Sequence, residues 1–80
     1  MSLSSWYALT VKPRHEQTAS QHLGAKGLER FVPTYRTSRR WSDRRKEVEL
    51  CLFPGYVFCR FDAAHRVPVL QSAGVAGIVL

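Results

Sequence analysis

The sequence predicts one α+β domain with the ferredoxin-like order β-α-β-β-α-β: a four-stranded antiparallel sheet, both helices on one face, and a long basic hairpin between the second and third strands. Three observations predict it. Several segments are rich in aromatic and β-branched residues, and their side chains follow the period of two that is typical of strands. One segment of helix-forming residues follows the first strand, and another precedes the last. A chain of 80 residues suffices for one small domain.

The first strand and the first helix are predicted in the N-terminal third of the chain. Residues 6–11 are mainly aromatic and β-branched and end before a Lys-Pro pair, which indicates a strand. Residues 14–26 are mainly helix formers, and Gly27 is placed to end the helix. Ala19 and Leu23 lie four residues apart and should face the sheet, whereas the other helix side chains should form a polar surface.

A basic hairpin is predicted to follow the second strand. That strand covers residues 29–37 and should lie at a sheet edge or be bulged, because Pro33 has no N–H to donate to a ladder. Ser42-Asp43 marks the turn of the hairpin. Residues 47–52 alternate apolar and polar positions as a half-buried strand should, and they lead into the central segment.

The most apolar and aromatic segment, residues 52–61, is predicted as the central strand. It begins at a Pro-Gly break and then alternates. Its two faces hold Tyr56, Phe58 and Arg60 on one side and Val57, Cys59 and Phe61 on the other. The first strand should place Tyr7, Leu9 and Val11 in the core and Trp6, Ala8 and Thr10 on the other face. An uncovered sheet face with central aromatic residues is expected to be a binding surface.

The C-terminal part of the chain predicts a short helix and a last strand. The helix covers residues 66–71, because a proline near its start is tolerated only in the first turn. Val67, Val69 and Leu70 are its apolar positions, and residues 75–80 form the strand. At the other end, residues 1–5 are expected to be disordered and to begin with a cloning remnant.

Charge and composition restrict the classes of partner. A net charge of +6 and a pI near 10.0 indicate a polyanion near the working surface. Charge alone does not choose between a nucleic acid, an acidic protein surface and a nucleoprotein assembly. No apolar stretch approaches the length that spans a bilayer, so a membrane partner is not expected.

Catalysis, metal binding and a disulfide are not expected either. The carboxylates are scattered, and no glycine-rich phosphate loop follows a strand, so we expect neither an enzyme nor a cofactor. Cys51 and Cys59 lie in one predicted strand run, which separates them by more than roughly 20 Å. Neither has the spacing of a metal ligand, and two reduced structural thiols are typical of a cytoplasmic protein.

One candidate function is single-stranded RNA binding. The RNA-recognition motif shares the predicted topology, and Gly55, Tyr56, Phe58 and Phe61 fall in register with its third-strand signature. The outward aromatic residue expected at the centre of the first strand is replaced by small residues. Tyr56 and Phe58 would thus supply half of a stacking platform.

A second candidate comes from a family resemblance. The chain resembles the N-terminal domain of the NusG family of transcription elongation factors in Trp-Tyr-Ala-Leu (6–9), Phe-Pro-Gly-Tyr-Val-Phe (53–58) and Gly-Val-Ala-Gly-Ile-Val (74–79), with a basic segment at 44–46. Order and spacing agree across residues 6–80. Leu-Phe-Pro and the later Phe-Asp are more similar to specialised paralogues of the RfaH type.

The resemblance implies an accessory protein of RNA polymerase that acts on elongation, pausing, termination or antitermination. In the family, the open sheet face receives the tip of the clamp helices of the largest polymerase subunit. The matching positions in this sequence are Ala8, Thr10, Phe53, Tyr56 and Phe58. Large residues on one strand opposite small ones on the next should form a cavity for a helix tip.

The resemblance also implies two further contacts. Arg66, Val67 and Gln71 match the region that touches the polymerase lobe opposite the clamp, although the His-Thr-Thr element of RfaH-like members is missing there. Upstream DNA or its non-template strand would face a basic set: Lys12, Arg14, Arg39, Arg40, Trp41, Arg44, Arg45 and Lys46. The alternative for the hairpin members is a solvated tip, with Trp41 covering the hairpin's own apolar side.

The same resemblance implies the setting in which the domain acts. A monomer is expected in the bacterial cytoplasm, within a nucleoid-associated transcription complex. Family members continue with a further helix, a linker and a small β-barrel (KOW) domain. These segments are expected to be missing from the 80 residues of this sequence.

Overall fold

The structure is a computed structural model that describes residues 4–79, apart from the side chain of Trp41. Its strands and helices are, in order, β1 (Ser4–Val11), α1 (Glu16–Ala25), β2 (Glu29–Phe31), β3 (Thr34–Trp41), β4 (Arg44–Cys51), β5 (Tyr56–Asp62), α2 (Arg66–Leu70) and β6 (Val75–Val79). A single 3-10 turn, Ala63–His65, precedes α2. Within the described residues, neither helix is long and apolar enough to cross a membrane.

The strands form two sheets where one was predicted. The main sheet is antiparallel with the strand order β2-β5-β1-β6, and within residues 4–79 β3 pairs only with β4, in a separate two-stranded sheet. The α+β class, the antiparallel sheet and the two helices are confirmed, but the predicted element order and sheet count are wrong. Pro33 interrupts the predicted second strand, since it cannot donate to a ladder. The predicted strand over 29–37 is therefore divided into β2 and β3.

The boundaries of the first two elements also differ from the prediction. Ser4 and Ser5 pair with β5, so they belong to the sheet and not to a disordered N-terminus. Residues 1–3, where the cloning remnant was predicted, lie outside the described residues. Helix α1 begins two residues later than predicted, because Arg14 has a left-handed φ of 63°, which a helix cannot contain.

The core lies between the main sheet and the helices. It is formed by side chains from the sheet and from both helices: Leu9, Val11, Val57, Cys59 and Phe61 from the sheet, Ala19 and Leu23 from α1, and Val69 from α2. The strand alternation and the inward face of α1 were thus predicted correctly. Of the three apolar residues predicted to pack from α2, Val67 and Leu70 are exposed. A helix of five residues directs little more than one side chain toward the core.

The Pro-Gly turn before β5 is attached to both β1 and α1. Tyr56 N–H donates to the carbonyl of Phe53 at 3.1 Å, and Gly55 has a φ of 86°, as the third residue of a type II turn requires. The Gly55 carbonyl accepts a hydrogen bond from Val11 N–H at 2.9 Å. The Gly55 N–H donates to Glu16 Oε1 at 3.0 Å. Glu16, which the helix pattern placed on the polar surface, is therefore buried, with 8% of its surface exposed.

Candidate binding surface

The face of the main sheet opposite the helices, called here the open face, has side chains in three rows across the strands. The pairing register defines these rows: Glu29, Arg60 and Trp6; then Phe31, Phe58, Ala8 and Val79; then Tyr56, Thr10 and Gly77. The middle row is apolar throughout. The first row ends at Trp6 on β1, and the third ends at Gly77 on β6, which has no side chain.

The five residues predicted for polymerase binding come together on this face. Ala8 pairs directly with Phe58, and Thr10 pairs with Tyr56. Phe53, in the turn before β5, packs edge-on against Phe58 with ring centroids 5.8 Å apart. Phe53 and Tyr56 remain 49% and 41% exposed, whereas Phe58 is half-buried. The sequence therefore predicted the position of each of these side chains correctly.

A strip of small residues forms the floor beside the β5 aromatics. Ala8 and Thr10 lie on β1, and Gly77 lies next to Thr10 on β6. A Cβ added at Gly77 would lie 3.2 Å from Thr10 Oγ1, so even a methyl group would crowd the floor. The open face is thus a trough with Phe58 and Tyr56 along one side and Val79 on the other.

Two aromatic residues of this face were not predicted as part of the site. Trp6 and Phe31 are about half exposed and line a shallow groove of about 550 Å³ together with Phe58 and the neighbours Glu29 and Arg30. Trp6 was placed outward by the β1 alternation but given no role. The alternation of residues 29–31 could have placed Phe31 as well, had the break at the following proline been recognised.

The predicted second polymerase contact lies on the other side of the sheet. Arg66 and Val67 are exposed on α2, and Gln71 is exposed at its C-terminal cap, where its N–H donates to the Val67 carbonyl at 3.0 Å. Since α2 packs on the helix side of the sheet, these three residues are not brought together with the open face. They form a separate surface.

The predicted nucleic-acid residues divide into two groups. Lys12 and Arg14 are exposed just beyond β1, where Arg14 lines a small depression with Pro54 and Gly55. The hairpin of β3 and β4 leaves the main sheet at the same end, closed at its base by Leu52 N–H donating to the Pro33 carbonyl at 2.8 Å. Its tip has the other cations: Arg39, Arg40, Arg44, Arg45 and Lys46, all exposed. The side chain of Trp41 lies outside the described part of the chain.

One of the two cysteines is buried and the other is half-buried. They were predicted in one strand run, but Cys51 ends β4 and Cys59 lies in β5, in different sheets, and both are free thiols. Burial raises the pKa of both; the carboxylates of Glu16 and Glu49 raise that of Cys51 further, whereas Arg30 partly opposes the effect at Cys59. Neither thiol is activated as a nucleophile. Among residues 4–79, no group of three His, Cys, Asp or Glu side chains could hold a metal ion.

Alkylation should distinguish the two thiols. Because both pKa values are raised, we expect both to react with iodoacetamide at pH 8 more slowly than in the unfolded chain. Cys51, which is half-buried, should react first, and Cys59, which has no exposed surface, should react only on unfolding. Pulse alkylation with mass spectrometry of the peptides measures both rates, with a urea-unfolded sample as the control. Equal rates for native and unfolded Cys59 would contradict its burial.

Comparison with known proteins identifies the family. A family model described as transcription termination factor NusG matches residues 4–80, which is nearly the whole chain. Comparison with curated proteins gave no significant match. The family match agrees with the three motifs that indicated the resemblance, two of which lie in β1 and in the turn and strand around β5. The chain belongs to the NusG family of transcription termination factors.

Proposed function

We propose that the domain binds RNA polymerase through its open face, which receives the tip of the clamp helices of the largest subunit, and so modulates elongation, pausing, termination or antitermination. The proposal depends chiefly on one observation: the aromatic wall of Phe53, Tyr56 and Phe58 stands beside the small residues Ala8 and Thr10. Membership of the family supports action within the transcription machinery.

The physical properties of the trough suit a protruding protein segment. Its aromatic residues stand partly exposed around a floor of small side chains, so an inserted apolar side chain would bury area on several sides at once. Aromatic residues centred in a desolvated pocket typically supply most of an interface's binding energy. The hydrogen bonds of Gly55 hold the turn with Phe53 in place before binding, which reduces the entropy lost on association.

The remaining predicted contacts are part of the same proposal. Arg66, Val67 and Gln71 would touch the polymerase lobe opposite the clamp, and their position on the helix side allows one monomer to bridge two polymerase surfaces. The basic residues beyond β1 and on the hairpin tip would contact upstream or non-template DNA. We place the domain in the bacterial cytoplasm, within the transcription complex.

A variant that fills the floor tests the proposed site. Ala8→Leu adds three heavy atoms between Phe58 and Val79 and should weaken binding of a purified clamp-helix fragment at least tenfold, roughly 1.4 kcal/mol. Pull-down followed by titration measures the loss. Ala25→Leu, the same change at an exposed position of α1, is the matched control and should bind as the wild type does. Equal binding by Ala8→Leu and the wild type would remove the site from the proposal.

Single-stranded RNA binding is a second candidate because of Trp6. This residue supplies an outward aromatic on β1, and together with Phe31 and Phe58 it places three aromatic side chains on three adjacent strands. Bases stack on such platforms with little sequence preference. However, Trp6 lies one row from the centre of β1, and the Glu29–Arg60 ion pair, 3.8 Å apart, occupies the same row. The clamp-helix proposal therefore remains the better supported one.

A further inference from the structure

The charge of the hairpin is divided sharply along its length. Residues 39–46, the tip, have five cations and one carboxylate, a net charge of +4. The base, residues 34–38 and 47–51, has one arginine and two glutamates, a net charge of −1. There Arg36 faces Glu49 across the strands, and Thr34 Oγ1 donates to a Glu49 carboxylate oxygen. The base is charge-compensated, and the tip is not.

Like charges face each other at the tip. Arg39 pairs with Lys46, and Arg40 pairs with Arg45. Like charges directly opposite each other destabilise a strand pair, so this arrangement does not serve the stability of the hairpin. A polyanionic ligand between or beside these side chains would relieve the repulsion.

The tip has cations on both of its faces. Side chains alternate along each strand, so the register places Arg39, Arg44 and Lys46 on one face and Arg40 and Arg45 on the other. All five are exposed. In the part of the chain that the structure describes, the hairpin strands pair only with each other, and the principal extents are 55, 23 and 21 Å. Eight-residue strands give a projecting arm roughly 27 Å long, at about 3.4 Å per residue.

We propose that this arm enters the major groove of duplex DNA, an inference that rests on the nucleic-acid contact in the proposed function and specifies it. The groove of B-form DNA, about 12 Å wide, admits a two-stranded ribbon and has a phosphate backbone along each wall. Cations on both faces of the arm would then meet both walls. A single strand lying along the arm would use the cations of one face only.

The width of the major groove also distinguishes duplex DNA from duplex RNA as the partner. The major groove of A-form RNA is too narrow and deep for side chains to read, so DNA is the partner that fits. Ser42 and Asp43, at the turn, enter first and lie nearest the base edges. The cations behind them bind phosphates, which predicts affinity with little dependence on base sequence.

Fluorescence anisotropy with the full chain tests the inference. A labelled 20-bp DNA duplex, one of its single strands and a duplex RNA of the same sequence are titrated between 50 and 200 mM salt, with about five phosphate contacts predicting a slope near −4.5 in log K against log salt. We expect the DNA duplex to bind tightest. Arg39→Ala/Lys46→Ala and Arg40→Ala/Arg45→Ala, one pair from each face, should each reduce the slope by about two.

Controls and outcomes separate this inference from the function on which it rests. Arg36→Ala, at the compensated base of the same hairpin, removes one cation and should leave the slope unchanged, whereas loss of one phosphate contact would reduce it by about one unit. Dependence on one face only, or tighter binding of single-stranded DNA or duplex RNA, would overturn groove insertion while leaving nucleic-acid contact in place. Loss of binding to all three nucleic acids would overturn the nucleic-acid contact as well. It would not affect the clamp-helix proposal, because clamp-fragment binding is measured separately.

Discussion

The double variant Tyr56→Ala/Phe58→Ala should bind a clamp-helix fragment of RNA polymerase at least a hundredfold more weakly than the wild type. Both side chains stand over Thr10 and Ala8 in the directly paired rows of the open face. Truncating aromatic anchors at the centre of an interface typically costs about 2 kcal/mol or more each. Because such losses are not additive for neighbouring residues, we expect a combined loss of at least about 2.8 kcal/mol, which corresponds to the hundredfold change. The clamp fragment is immobilised on a surface, and each form of the domain is titrated over it. This measures the dissociation constants of the wild type and of the double variant.

The control for this result is matched in exposure. Leu70 on α2 is 41% exposed, as is Tyr56, but it lies on the helix side of the sheet. Leu70→Ala should therefore bind the clamp fragment as the wild type does. Phe58 is half-buried and contacts Phe53, so its removal affects packing. Circular dichroism is therefore needed to check that the double variant is folded. Unchanged affinity in a folded double variant would remove the aromatic wall from the proposed site.

Two single variants decide between the two candidate functions. Labelled single-stranded RNA is titrated at physiological salt against the wild type, Phe58→Ala and Trp6→Ala. The clamp proposal predicts weak RNA binding by the wild type and normal clamp binding by Trp6→Ala, whose side chain stands at the end of the first row. Tight RNA binding that both variants lose, together with no clamp interaction, would reverse the ranking.

Sequence reasoning predicted the open face well because period-two alternation is strict in a strand. In β1 and β5 a single apolar residue fixes the face of every other residue, and the core side chains Leu9, Val57 and Phe61 are large enough to decide it. The small residues Ala8 and Thr10 then had to point outward. The five-residue candidate site was predicted from this alternation together with the family motifs.

The separate hairpin could not be predicted in the same way. Pro33 indicated an edge or a bulge, but either of these keeps the strand within one sheet. A full division depends on what the flanking segments pair with: β2 pairs with β5, and β3 pairs with β4. Such pairings are long-range choices, and neither alternation nor propensity encodes them.

The residue pattern also did not predict which side chains of the two helices are buried. Val67 and Leu70 have the composition of core residues, yet the position of α2 allows only Val69 to reach the sheet. Glu16 shows the reverse. A glutamate in the first turn of a helix normally faces solvent, and only the turn at Gly55, which supplies a backbone N–H, explains its burial.

Glu16→Ala should lower the free energy of unfolding by about 2 kcal/mol, since a hydrogen bond to a charged group contributes roughly 1.5–3 kcal/mol and its loss leaves the Gly55 N–H without this acceptor. For a domain of this size the melting temperature should fall by about 8–16 °C. Thermal and urea unfolding followed by circular dichroism measure the change. Glu16→Gln, which keeps an acceptor oxygen, should lose less.

The control for Glu16 is its neighbour on the same helix. Gln17 is exposed, so Gln17→Ala should change stability by no more than about 0.5 kcal/mol. Glu16→Ala should also weaken clamp-fragment binding at temperatures where it remains folded, because the Gly55 turn holds Phe53 against Phe58. If Glu16→Ala were as stable as Gln17→Ala, the link between α1 and the turn would be of no energetic consequence. If it lost stability but kept full affinity, the turn would be held in place by the bond between Val11 N–H and the Gly55 carbonyl alone.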